Sequence, residues 1–220
     1  HTLNQYAVIS QNRLFKIKNT KNIKSKVLLG CALSTSYNAL KDIKLKSSKT
    51  ICIIGCGGLG LATVLISKKI GFKNIIVIDK IKNKLKIAKK LGASNTLISV
   101  DDANLRKNID IVVECTGNKE MLKKSIFLPK NFGGKLIFIG NYPNKYKINL
   151  DPWVIINGVS FIGAWNDSKP FNDVFTKLEK ILKNDNLDIF FGKKTYKLKE
   201  INKAIKDFEK GKVVRPLIKF

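Results

Sequence analysis

The stretch that most constrains this chain is Thr50-Ile-Cys-Ile-Ile-Gly55-Cys-Gly57-Gly58-Leu59-Gly60. Its apolar residues Ile51–Ile54 read as a strand buried on both faces. Gly55-x-Gly57-x-x-Gly60 follows without a gap, and Leu61–Ile70 is a mostly apolar helix pattern stopped by Gly71. A second strand, Asn74–Asp79, ends on an acid. Gly55 lets the chain turn sharply at the end of the strand. Gly57, lacking a side chain, opens the backbone to close approach, and Gly60 lets the helix pack against the strand. The helix N-terminus presents free N–H groups and a partial positive charge at the same place. Asp79 lies about twenty residues past the third glycine, where an acid accepts the hydroxyls of an adenosine ribose. The ordered set points to a dinucleotide held by Gly55, Gly57, Gly58, Leu59, Gly60 and Asp79. The plain alternative is a tight turn with no ligand.

The pattern then repeats. Strands are expected at Ile51–Ile54, Asn74–Asp79, Thr96–Val100, Asp110–Cys115, Lys135–Gly140 and Val159–Gly163, with helices at Leu61–Ile70, Asn83–Leu91 and Lys119–Leu128. Alternating strands and helices imply an α/β fold, a doubly wound, parallel, six-stranded sheet of the Rossmann kind. The connection between Val100 and Asp110 is short for a parallel crossover, so a single turn is expected there.

The ends read differently. Asn4–Ser10 and Arg13–Lys18 suggest two short strands, and Ser25–Leu40 a helix. Phe171–Leu182 has apolar residues at helical spacing, with Pro170 suited to the first turn. Leu198, Ile201, Ala204, Ile205 and Phe208 form another amphipathic helix, ended by Gly211. Val213–Phe220 reads as a strand whose Pro216 places it at an edge.

The net charge of +26 invites a nucleic-acid role. Yet Arg13, Arg106 and Arg215 are the only arginines among 42 basic residues, and the lysines are spread along the whole chain. Nucleic-acid readers concentrate arginine and aromatics in one region, so no specific nucleic-acid partner is expected. Cys31, Cys52, Cys56 and Cys115 form no Cys-x-x-Cys pair, which speaks against a disulfide framework or a structural zinc site and for a reducing, cytoplasmic setting. No apolar run reaches the length of a membrane helix, and no signal peptide opens the chain. The first residue is histidine, which suggests a chain cut from something longer.

With these residues in view, the sequence resembles the zinc-dependent medium-chain alcohol dehydrogenases. The segments that carry the resemblance are Leu29-Gly-Cys31-Ala-Leu-Ser-Thr35-Ser-Tyr37, the glycine motif, Asp79, Lys84-Leu-Lys-Ile-Ala-Lys-Lys-Leu-Gly-Ala93, Glu114-Cys-Thr-Gly117 and Gly211-Lys-Val-Val-Arg215. They keep the family's order over nearly the whole chain. The resemblance implies that residues 1–32 are a remnant of a barrel-like catalytic domain, that 33–163 form the dinucleotide-binding domain, and that 164–220 return to the catalytic domain. It implies NAD as cofactor, and zinc in the full-length enzyme. Hydride would pass between an alcohol or aldehyde and NAD. Cys31 matches a ligand of the catalytic zinc. Thr35 matches a residue beside the nicotinamide, Lys84 a lysine near the adenosine ribose, and Arg215 an arginine that reaches the pyrophosphate. Thr116, Ile139 and Gly140 match strand ends that line the cofactor. Ser36 and Asn38 stand where the family commonly has glycine.

The remaining family ligands, a cysteine and a histidine, have no counterpart here, since the only histidine is His1. This chain alone is therefore expected to be inactive, and no catalytic residue is assigned. The alternative is a paralogue that binds a dinucleotide without catalysis. Finally, Asp151–Trp165 is unusually apolar for the last strand of an open sheet. A bare apolar edge is an aggregation hazard, so a homodimer joined through the sixth strand is expected, as the resemblance also implies. The alternative has Trp153 and Trp165 packing under the helix that follows.

Overall fold

The computed structural model describes residues 4–11, 14–17, 23–43, 49–101, 105, 108–142, 147–148, 150, 152–165, 171–192 and 194–220. Pro170 and the first residues of the chain lie outside this set. Two compact units form, one from residues 35–166 and the other from residues 1–34 with 167–220. Among the described residues no helix is long and apolar enough to cross a membrane.

Among the described residues neither strand expected at the start of the chain forms, and Arg13 and Lys18 lie outside that set. Described residues of 4–17 are in no ladder, and Tyr6 and Val8 stand in solvent. Alternating apolar residues make a strand only when a neighbour completes the ladder and covers one face. The single helix expected over Ser25–Leu40 is instead α1 (Ile23–Lys26), a π-helical turn at Leu29–Leu33 and α2 (Ser34–Leu40). In the wide turn, Leu33 N–H donates to the Leu28 carbonyl five residues back.

The larger unit is the doubly wound sheet. Its elements are β1 (Thr50–Ile54), α3 (Gly58–Ile70), β2 (Asn74–Ile78), α4 (Lys82–Leu91), β3 (Asn95–Leu97), β4 (Ile111–Glu114), α5 (Lys119–Ser125), β5 (Lys135–Phe138), α6 (Pro152–Ile156) and β6 (Ser160–Gly163). All pairings are parallel, in the order β3-β2-β1-β4-β5-β6. The chain therefore reverses direction across the sheet between β1 and β4, the crevice where such folds bind dinucleotides. β1 lies at the centre, and its Ile51–Ile54 run is sealed on both faces. On one face Cys52, Ile54, Val112, Leu136, Ile126 and Val154 pack into one apolar cluster. The helices end where glycine allows. Gly71 (φ +107) and Gly92 (φ +116) take the left-handed conformation and return N–H bonds to the last turns of α3 and α4.

The differences from the sequence reading are local. β3 comes one residue earlier than expected and stops at Leu97, because Leu97 still pairs with Ile78 at the end of β2, where the ladder closes. α5 stops at Ser125 rather than Leu128. Between Val100 and Asp110 the described residues contain no α-helix, and Leu105 is buried in the core. Pro152 opens the unexpected α6, where proline's fixed φ suits a first turn.

In the other unit, α7 (Phe171–Ile181) packs on the π-helical turn, with Phe15 and Phe175 rings 4.9 Å apart and Lys26 paired to Glu179 at 2.5 Å. A 3-10 turn, Leu187–Phe190, leads to β7 (Thr195–Lys197), α8 (Ile201–Glu209) and β8 (Leu217–Lys219). β7 and β8 form a parallel pair. The strand expected over Val213–Phe220 is thus confined to three residues, just after Pro216. Its partner β7 is too short to show a period.

Candidate functional site

The glycine loop lies at the carboxyl end of β1. Gly55 turns with φ +95 and donates its N–H to the Ile78 carbonyl at 2.8 Å, which ties the loop to β2. A Cβ on Gly60 would overlap the Gly55 carbonyl oxygen, so the third glycine allows α3 to start directly over the turn. Gly57 differs from both. Its φ of −70 is open to any residue, and a Cβ there would meet nothing within 4 Å. Neither turn geometry nor packing calls for glycine at this position. No side chain caps α3, so its first N–H groups remain available to an anion. Gly58 and Leu59 form its first turn.

Asp79 closes β2 beside this loop. Its Oδ2 accepts from Cys56 N–H at 2.7 Å and its Oδ1 from Ile81 N–H at 2.8 Å. One carboxylate thus holds the glycine loop and the start of α4, and each oxygen keeps further acceptor capacity for a hydroxyl. Lys84, half-buried on α4, is close enough for its charge to act on the Cys56 thiol, opposite in sense to Asp79. Thr35 is buried on α2. The next residue, Ser36, is also buried and pins α2 to α3 through Thr63 Oγ1 at 3.0 Å and the Leu59 carbonyl at 3.4 Å.

Across the crevice, the ends of β4 and β5 meet at Glu114. This glutamate is fully buried. Its Oε1 accepts from the Thr116 backbone N–H at 2.8 Å and from the Thr116 hydroxyl. Its Oε2 accepts from Gly117 N–H at 3.3 Å and from the Tyr142 hydroxyl. Its own carbonyl receives the N–H groups of Ile139 and Gly140. Glu114 and Tyr142 escaped the sequence reading as site residues. For Glu114 the available signals were its place in the Glu114–Gly117 segment of the resemblance and a glutamate ending an apolar strand, where a charge needs partners.

The thiols of this unit are inert spacers. Burial pushes Cys52 up to about 12. Burial also raises Cys56, with Asp79 adding to the effect, and raises Cys115, with Glu114 adding. At all three, burial disfavours the thiolate, which is the reactive form.

The structure therefore brings Gly55, Gly57, Gly58, Leu59, Gly60, Asp79 and Lys84 together at one end of the sheet. Thr116, Ile139 and Gly140 stand at the ends of β4 and β5. Cys31 and Arg215 belong to the other unit. Cys31 is exposed on the π-helical turn, and its carbonyl accepts from Ser34 Oγ at 3.0 Å. Arg215 holds its backbone to Phe190 at 2.9 Å and has its Nε buried with no hydrogen-bond partner. Among the described residues no group of three His, Cys, Asp or Glu could hold a metal ion.

Comparison with known proteins adds an independent line. A family model described as zinc-binding dehydrogenase matches residues 58–183. Alcohol dehydrogenase class-2 isozyme 2 of Oryctolagus cuniculus is 28% identical over 231 residues, covering 97% of this chain and 59% of the rabbit protein. Alcohol dehydrogenase class-3 of Drosophila melanogaster is 29% identical over 236 residues, covering 100% of this chain and 61% of the fly protein. Among solved structures, an alcohol dehydrogenase from Thermotoga maritima matches with a TM-score of 0.77 at 25% identity, covering 93% of this chain and 59% of that one. The chain spans about three-fifths of the length of these relatives.

Proposed function

The chain belongs to the zinc-binding dehydrogenase family, and from that premise we propose that it is the NAD-binding part of an alcohol dehydrogenase-like oxidoreductase, one that passes hydride between an alcohol or aldehyde and NAD. The observation that carries the reading is Gly57: a glycine that neither turn nor packing requires, at the uncapped start of α3. Residues 33–163 are the proposed cofactor domain, with 1–32 and 164–220 belonging to the catalytic side.

In this reading the N–H groups of Gly57, Gly58 and Leu59 face the pyrophosphate, and Asp79 accepts the adenosine ribose hydroxyls with Lys84 alongside. Thr35, Thr116, Ile139 and Gly140 line the nicotinamide half, and Arg215 is proposed as a phosphate-binding arginine by resemblance alone. NAD, when bound, supplies the hydride acceptor. The residues of this chain bind and orient it. No step is assigned to zinc here. Cys31 is proposed as a zinc ligand by descent, and this chain by itself is proposed to be inactive toward alcohols. The second reading is a paralogue that binds the dinucleotide without catalysis. Free thiols suit the cytoplasm.

Calorimetric titration with NAD tests the proposal: saturable binding that a Gly57→Ala variant loses supports it, and no binding by the folded protein overturns it. Alcohol oxidation by the chain with added zinc separates the two readings from an active enzyme. Turnover would show that the chain completes a metal site by itself, and its absence supports the cofactor-binding role.

A further inference from the structure

Glu114 stands out among the groups that no part of the proposed cofactor contact uses directly. A buried carboxylate without partners would be costly. Here both oxygens are filled, Oε1 by the Thr116 N–H and hydroxyl, Oε2 by Gly117 N–H and the Tyr142 hydroxyl. The Thr116 hydroxyl in turn accepts from Asn118 N–H at 2.9 Å, at the start of α5. The acceptor set thus joins two loops that leave different strands. Thr116, Gly117 and Asn118 follow β4, and Tyr142 follows β5.

Backbone packing makes the same join. Gly117 turns with φ +65, and a Cβ on it would overlap the Asn141 carbonyl. A Cβ on Gly140 would meet Gly117 N at 2.5 Å and Glu114 Oε2 at 2.6 Å. Glycine at both positions lets the loops touch, and the carboxylate holds them there. In a doubly wound sheet with the order found here, the β1–β2–β3 half takes the adenosine part of a dinucleotide. The carboxyl ends of β4 and β5 belong to the other half.

We propose that Glu114 is a positioning residue for the nicotinamide half of the cofactor cleft: by clamping the Thr116–Gly117 loop to Tyr142 it sets the wall against which the nicotinamide riboside lies. The inference rests on the cofactor reading above. Glu114 need not touch the cofactor. It acts through Thr116, Gly117, Gly140 and Tyr142. Its effect falls chiefly on the nicotinamide half: Thr116 also packs against Gly55, but the glycine loop is held by its own bonds to Ile78 and Asp79.

The test compares two ligands on the full 220-residue chain. NADH fills both halves of the cleft, whereas ADP-ribose lacks the nicotinamide. Dissociation constants for both are measured by calorimetry for the wild type, Glu114→Gln and Tyr142→Phe, with circular dichroism as the check on folding. Glu114→Gln turns an amide donor toward N–H donors. It is expected to weaken NADH about tenfold while ADP-ribose stays within about twofold, on the scale of a lost bond to a charged group. Tyr142→Phe removes one of the four donors while keeping the carboxylate and its three other bonds, and is expected to weaken NADH about threefold with the same selectivity. If Glu114→Gln does not fold, Tyr142→Phe decides. Equal weakening of both ligands, or no change in NADH, overturns the positioning role. A wild type that binds ADP-ribose but shows no gain for NADH overturns it as well, and leaves the adenosine site standing. Failure of the wild type to bind either ligand overturns the cofactor reading itself, and the Glu114 proposal with it.

Discussion

Asp79 accepts a 2.7 Å hydrogen bond from the backbone N–H of Cys56, so the acid that ends β2 also holds the middle of the glycine loop. The residue that would read the ribose and the loop that would face the phosphates are therefore one mechanical unit. A carboxylate in this place repels a 2′-phosphate, and the chain is expected to bind NAD more tightly than NADP. Asp79→Ala removes both the ribose acceptor and the tie to Cys56. NAD affinity should fall about tenfold or more, and the preference over NADP should shrink. Calorimetry with both cofactors measures this, and tighter NADP binding by the wild type would contradict it.

Gly57 and Gly60 should separate binding from stability. A methyl on Gly57 meets no protein atom, so Gly57→Ala should leave the melting temperature nearly unchanged while blocking cofactor. A methyl on Gly60 overlaps the Gly55 carbonyl. Gly60→Ala should cost on the order of 1–3 kcal/mol of stability as well as the site. Thermal melts and NAD titrations on the two variants give the comparison.

Asp110 links three segments of the sheet: Oδ2 accepts from Thr50 N–H at 2.8 Å, Oδ1 faces Lys130 Nζ at 2.6 Å, and its carbonyl receives Lys135 N–H. Partial burial pushes its carboxyl up, but Lys130 and the Thr50 N–H outweigh that and hold it below the usual carboxylate range. A lowered folded pKa stabilises fully above the unfolded value of about 4, and that contribution is lost as pH falls through the folded value. Wild type should therefore lose stability between about pH 5 and pH 3 more steeply than Asp110→Asn. Urea melts across that range check the slope, and identical acid limbs would refute the assignment.

The cysteines should react in a fixed order. Cys31 is exposed, whereas burial keeps Cys52, Cys56 and Cys115 protonated. Iodoacetamide at neutral pH should label Cys31 at least about a hundredfold faster than Cys52 in the folded protein, and all four sites in denaturant. Peptide mapping by mass spectrometry follows the order. Fast native labelling of Cys52 would show that the central strand is not sealed.

Among the described residues no strand pairs with the outer edge of β6, and Trp165 just beyond it is 68% exposed. We expect two copies to pair through β6, which satisfies the free N–H and C=O groups of both edges. Light scattering should report a dimer, and Ile162→Lys should split it. A monomer at micromolar concentration that Ile162→Lys leaves unaltered would count against the pairing.

The strand–glycine–helix–strand unit with Asp79, and the six strands in their order, were legible from the sequence alone. Their signals are local. An apolar run, a glycine where φ turns positive at Gly55, and a helix period over Leu61–Ile70 lie within one short stretch. The strand expected at Asn4–Ser10, and the described part of the one expected at Arg13–Lys18, did not form for the complementary reason, since a strand exists only in its partner. The same holds for β7, three residues paired with β8 from the far end of the chain. Ser36 looked like a departure from the family's glycine, and folding gave it Thr63 and Leu59 as partners. Glu114 is the sharpest case. Its sequence context shows a charged residue ending a buried strand, within a segment that carries the resemblance, but not its partners. Its partner Tyr142, 28 residues away, was decided by which loop the sheet brought alongside. Backbone preference and period act between neighbours, and so can be read from the chain. The partners of a buried polar group are set by whatever the fold carries within hydrogen-bond reach, and only the tertiary structure decides that.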